Sequence, residues 1–143
     1  ADNAVYPTGL AKLSAALEDS DAAGAYGIIA CHGARDGLVS CLPWAVELLT
    51  VGNYIDAMAM IRRSAWQEIG GYDPAMDALG GGWEDYDFFL RLATNGQRAI
   101  LVPEIVASYR AHPTSMLATV NLDTAALMSG LRERYPFLPW GAS

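Results

Sequence analysis

The stretch Gly80–Gly96, GGGWEDYDFFLRLATNG, decides how the rest of the chain is read. Its second half has helical spacing: Phe88, Phe89, Leu92 and Ala93 fall on one face, and Asn95-Gly96 supplies a C-cap. Its first half is costly. An ordered glycine gives up more backbone freedom than any other residue, on the order of 1–2 kcal/mol per fixed position. Glu84, Asp85 and Asp87 then crowd negative charge into four positions. Carboxylates in a first helical turn complement the macrodipole by about 0.3–1 kcal/mol each. That explains one or two acids, but neither the glycine run nor Trp83 between glycines and acids. A mobile glycine loop that delivers a substrate to a carboxylate base at a fixed helix start explains all three.

Outward from this stretch the pattern is of short mixed elements. Pro7 and Thr8 open a helix with Leu10, Leu13 and Leu17 at helical spacing, closed by Asp19–Gly24. AYGIIAC reads as a strand, GARDG as a turn and LVSCL as a returning strand. Pro43 starts a short apolar helix or loop that runs to Val51–Asn53. Tyr54–Arg63 reads as a buried strand, with Ser64 as N-cap of a short helix, AWQEIGG. A loop with five glycines in thirteen residues leads to Trp83. RAILVPE and IVASYRAH read as two short strands, the second ending at His112, and an amphipathic helix from about Leu122 to Tyr135 is stopped by Pro136. Alternating short strands and helices make the fold class α/β or α+β.

The bulk numbers bound the function. At 143 residues the chain fits one domain with a sizeable core. A net charge of −7 excludes a phosphate-backbone binder, so nucleic acid is not an expected partner. No run of 18 or more apolar residues is present, and the first residues lack the basic and apolar regions of a secretory signal. The chain opens mid-pattern without Met, and we read it as part of a longer protein. Cys31 and Cys41 lack metal-site spacing; a disulfide across the hairpin is geometrically conceivable, and free, packed thiols are the expectation.

Other polar residues are weighed singly. His112 stands at a strand end with Arg110 before it and Ser115 after it, an anion-friendly cluster, although a lone histidine there is more often a structural hydrogen-bonder. Asp56 reads as a buried or edge acid, and Arg62-Arg63 as a solvated strand end. Asp2 alone, in ADN, carries no meaning.

Taken in order, four blocks resemble the family 2 glycosyltransferases of GT-A fold, over residues 1 to about 117. ADNAVYPTGLAKLSAAL is similar to the segment that starts inside that family's DxD motif, whose first Asp would lie just ahead of Ala1. NYIDAMAMIRRSAWQEIGGYDP resembles its strand, double-Arg and GG-F/Y-D block. GGGWEDYDFFLRLATNG is similar to its G-x-E-D-x-D/E helix start, and VPEIVASYRAHPTSM to its V-P-E…Y-R-x-H-x-x-S-M ending.

The resemblance implies an α/β fold, the C-terminal portion of a GT-A domain with a mixed sheet and flanking helices. Residues 1–143 would form a single unit, the acceptor-binding half, with 118–143 a helical extension. It implies inverting transfer from a nucleotide-sugar donor to a glycan or lipid-linked acceptor, with Asp85 as general base and Glu84 assisting or gripping the acceptor. Trp83, Gly81, Gly82, Asp56 and Arg63 would line the acceptor site. Asp2 and His112 would hold Mn²⁺ or Mg²⁺, and Arg110 and Ser115 would meet the diphosphate. The nucleotide-binding half would precede Ala1, leaving this piece inactive alone and exposing an apolar edge that favours a homodimer. One Lys against eight Arg, with abundant Ala and Gly, suits a bacterial source; a cytoplasmic location, peripheral to the inner membrane, follows from the resemblance. A non-catalytic carbohydrate-binding or assembly module is the competing reading. A hydrolase is disfavoured, because Glu84, Asp85 and Asp87 on one helix cannot flank a glycosidic bond from opposite sides, about 5–9.5 Å apart.

Whether the helix N-terminus lowers the Asp85 pKa more than burial and neighbouring acids raise it does not follow from sequence.

Overall fold

A computed structural model of the chain describes residues 3–79, 81–114 and 124–141. A mixed sheet lies between two helical layers. The strands are β1 (Asn3–Val5), β2 (Gly24–Gly33), β3 (Gly37–Val39), β4 (Met60–Ile61) and β5 (Ala99–Ala111). They run in the order β1-β5-β2-β3, with β4 also on β2. The long β2–β5 pair is parallel and the other pairs are antiparallel.

The faces of β2 are divided by the two-residue period of a strand. Ala25 and Ile29 meet α1 (Gly9–Glu18) through Leu13 and Leu17, with Val102, Val106 and Ala107 of β5 completing this smaller core. Tyr26 faces the larger core, built from α2 (Val46–Leu49), α3 (Arg63–Ile69), α4 (Glu84–Thr94) and α5 (Thr124–Arg134). Each fully buried Leu or Phe contributes roughly 1.5–3 kcal/mol. Leu10 was expected on the apolar face of α1 but is 58% exposed, because the two-turn contact with β5 is satisfied by Leu13 and Leu17.

Three expected elements take a different form. Tyr54–Arg63 is a strand only at Met60–Ile61. The Asp56 carboxylate accepts the Met58 N–H at 2.8 Å, and this side-chain turn competes with a strand ladder. Ser64 is not the N-cap of α3: the Arg62 N–H donates to the Ala23 carbonyl at 2.8 Å, and the helix springs directly from that strand contact at Arg63. RAILVPE and IVASYRAH form one strand. Its register against β2 jumps from Gly27↔Val102 to Ile28↔Ile105, so a bulge absorbs Pro103, which has no N–H to give.

The end of α4 is as expected. Gly96, at φ +69°, sends its N–H to Ala93 and lets the Gln97 N–H reach Leu92, the paired bonds of a Schellman cap. Leu127 and Leu131 of α5 are buried in the larger core, so the C-terminal helix is integral to the packing. Cys31 is buried, Cys41 is exposed and both are free thiols; of the two expected to be packed, only Cys31 is. No described helix is long and apolar enough to cross a membrane.

Candidate active site at the start of helix α4

Gly81 and Gly82 have φ of +69° and +71°, a left-handed region costly to other residues, and they turn the chain into Trp83. The glycines thus have a conformational reason to precede the helix. Gly80 lies outside the described residues. Trp83 occupies the N-cap of α4 without a side-chain cap bond, and its ring lies 6.3 Å from that of Tyr86.

The acids that follow divide by function. Successive residues advance about 100° around a helix, so Asp85 and Asp87 point roughly 200° apart. Asp87 is fully buried. Arg91 Nε donates to its Oδ2 at 2.8 Å, the Tyr135 hydroxyl donates to its Oδ1, and Arg134 stands 3.7 Å away. Arg91 also donates to the carbonyls of Ile69 at 2.9 Å and Gly71 at 2.7 Å, while Arg134 pairs with Asp73. Asp87 therefore ties α4 to α5 and to the loop after α3.

Among the described residues Asp85 has no basic partner of this kind. Its Oδ1 accepts the Tyr86 N–H at 2.8 Å and its Oδ2 accepts an N–H of the Asn53 side chain at 3.3 Å. Burial lifts its pKa to about 6, opposed by those two hydrogen bonds and reinforced by the charges of Glu84 and Asp56. The opposing influences left open by the sequence resolve in favour of burial. Asp56 is itself raised by burial, against the hydrogen bond from Met58. Tyr72 belongs to the same cluster: burial raises its hydroxyl, and the charges of Asp85 and Glu84 raise it further. Its ring packs edge-on against Trp66, with centroids 4.8 Å apart.

The structure thus groups Trp83, Glu84, Asp85 and Asp56, all expected from sequence, with Asn53 and Tyr72, which were not. Arg63 is exposed at the start of α3. Its neighbour Arg62, expected to be solvated, instead donates to the carbonyls of Leu17, Ser20 and Ala22, closing the C-terminal end of α1. A separate cavity of about 270 Å³ between α3 and the turn after α4, lined in part by Arg62, Ser64 and Gln97, contains none of the acids around Asp85.

Arg110 is exposed on β5, paired in register with His32, and His112 follows the strand with Nδ1 2.9 Å from the Thr114 hydroxyl. Asn3 pairs with Tyr109, which brings β1 alongside this strand. Asp2 and Ser115 lie outside the described residues. Among the described residues no three His, Cys, Asp or Glu side chains converge as metal ligands, so those residues alone do not make a cation site.

Asn53 had no local signal, since its partner is 32 positions away. The Asp87–Arg91 pair was legible as an i,i+4 spacing.

Residues 13–135 match the family described as glycosyltransferase like family 2, and the chain belongs to that family. The match extends through α5, and the mixed sheet with flanking helices is consistent with a GT-A-like domain. No curated protein matches the sequence. Membership supports glycosyl transfer as the general activity.

Proposed function

We propose that this chain carries the acceptor side and the catalytic base of an inverting glycosyltransferase that uses a nucleotide-sugar donor. The observation that carries the reading is Asp85. It is a half-buried carboxylate at the start of α4, oriented by Tyr86 and Asn53, with its pKa lifted to about 6. A carboxylate of that basicity is still ionised at neutral pH and accepts a proton more readily than a solvated one.

In the proposed step the acceptor hydroxyl gives its proton to Asp85 as its oxygen bonds to the anomeric carbon. The bond from that carbon to the nucleotide diphosphate breaks on the opposite face, and the configuration inverts. One carboxylate suffices, because no covalent sugar-enzyme intermediate forms. Glu84, Asp56 and Trp83 border the acceptor, the acids accepting hydroxyl hydrogen bonds and the indole offering an apolar face.

A divalent cation on Asp2 and His112, with Arg110 and Ser115 toward the diphosphate, belongs to the same proposal. Such a cation would neutralise the leaving group. His112 is the one member of that ligand pair among the described residues.

The test is Asp85→Asn in the full-length protein. Nucleotide diphosphate release from a panel of UDP-, GDP- and dTDP-hexoses is measured with Mn²⁺. Release should fall by at least 10³-fold with nucleotide-sugar binding retained. Undiminished turnover refutes the assignment of the base.

A further inference from the structure

The proposal here rests on Asp85 as the base and concerns the residue that aims it. The segment from Leu49 to Asn53, between α2 and the loop that carries Asp56, is bolted to the protein from two sides. The Tyr86 hydroxyl, on the residue next to Asp85, donates to the Leu49 carbonyl. The Thr50 hydroxyl lies within hydrogen-bond distance of the carbonyls of Glu47, at 2.8 Å, and of Pro139, at 3.1 Å. Leu49 and Ile55, on either side, are buried in the larger core. Asn53 is therefore held on a rigid strut fastened to the first turn of α4.

From that strut the Asn53 amide N–H reaches Asp85 Oδ2 at 3.3 Å, while Oδ1 of the aspartate is occupied by the Tyr86 N–H. The two bonds fix both carboxylate oxygens and hence the rotation of the group. The amide oxygen of Asn53 is enclosed and has no hydrogen-bond partner among the described residues. A buried amide oxygen is ordinarily satisfied, so a lone one adjoining a proton acceptor points to a partner present in another protonation state.

We propose that Asn53 is a positioning residue for Asp85, donating its amide N–H to the carboxylate before proton transfer and turning its carbonyl oxygen to receive the acid O–H afterwards. Asn suits both duties, because its side chain carries donor and acceptor on one rotatable plane. The proton travels from the acceptor hydroxyl to Asp85 Oδ2. A half-turn of the Asn53 amide then exchanges N–H···⁻O for O···H–O, and loss of the proton to water restores the starting state. The other titratable groups near Asp85 are Glu84 on its own helix, Asp56 on the loop after the strut and Tyr72 on the loop after α3. Glu84 and Asp56 bring like charge, and among the described residues Asn53 is the side chain whose N–H is bonded to the Asp85 carboxylate.

The direct test is a ¹³C-carboxyl NMR titration of Asp85, assigned by the signal lost in Asp85→Asn, in the native sequence and in Asn53→Leu. Leucine keeps the approximate shape and removes the N–H. The Asp85 midpoint should rise by about one pH unit, because the lost hydrogen bond to the charged carboxylate is stronger than the lost one to the neutral acid. The acid limb of kcat/KM for nucleotide diphosphate release should rise with it, with the donor KM unchanged. Asn53→Asp folds around the same shape if the leucine variant does not, and it should raise the midpoint further by like charge. An unmoved midpoint in the folded variant overturns the proposal even if Asp85→Asn is inactive. A loss of activity equal at every pH also overturns it, since that is the mark of a merely structural asparagine. Turnover retained in Asp85→Asn overturns the base assignment and the positioning role with it, whatever the titration shows.

Discussion

Replacing Asp85 by Asn should make the protein more stable at pH 8 while removing its chemistry. The Asp85 carboxyl titrates near 6 in the folded protein and near 3.8 in the unfolded chain. Below about pH 4 it is protonated in both states and contributes nothing. Between about pH 4 and 6 the unfolded chain ionises this group while burial keeps it protonated in the folded protein, so stability is lost progressively over that window and the loss is complete above it. A displacement of about two pH units, at 1.4 kcal/mol each, puts the loss on the order of 2–3 kcal/mol above pH 7. Asparagine never ionises and escapes it. Its carbonyl can still accept the Tyr86 N–H, and a half-turn of Asn53 lets the unpartnered amide oxygen meet the new side-chain N–H. Urea unfolding measures the effect. At pH 8 the midpoint should rise in Asp85→Asn with an unchanged slope, and the gap should close toward pH 4. A variant that is no more stable at pH 8, or one equally stabilised at pH 4, refutes the assignment of the cost to ionisation of Asp85. Proteins commonly tolerate such a cost where a group does chemistry.

Two further outcomes follow from the same packing. Asp87→Asn should act in the opposite direction, losing about 3–5 kcal/mol by urea unfolding at pH 8, because Arg91 and Arg134 keep their charge beside a neutral amide; a loss under 1 kcal/mol would show that the buried network is not structural. Thiol labelling of the native protein with an aromatic disulfide reagent should modify Cys41 alone, and Cys31, 6% exposed, only after unfolding.

The sequence made α4 legible because period, cap and charge agree. The Phe and Leu positions define its buried face, and Asn95-Gly96 closes it with the expected bonds. Spacing and charge alone did not separate Asp85 from Asp87; only the resemblance singled out Asp85, and the structural role of Asp87 was not foreseen. The distinction comes from which side of the helix meets α5, and that is settled by residues more than forty positions away. Asn53 was invisible for the same reason. The misread strand at Tyr54–Ala59 shows local chemistry overriding composition: apolar residues at suitable spacing yielded to the turn that Asp56 makes with Met58. At Pro103 the error ran the other way. RAILVPE and IVASYRAH were read as two strands, but the bulge opposite Gly27 and Ile28 accommodates Pro103 and the strand continues.

The parallel pairing of β2 with β5 also shapes how the chain is made. Gly33 closes β2 and Ala99 opens its partner, so Asn53, Asp56 and the start of α4 are synthesised between them. At about 5–20 residues per second, the ribosome needs roughly 3–13 s to travel from one to the other. During that interval the side of β2 destined for β5 has no ladder. The last large strand pairing is thus a nascent-chain event that waits on translation speed. Slow codons between Gly33 and Ala99 would prolong exposure of an apolar strand edge, and chaperone binding to arrested chains should peak there.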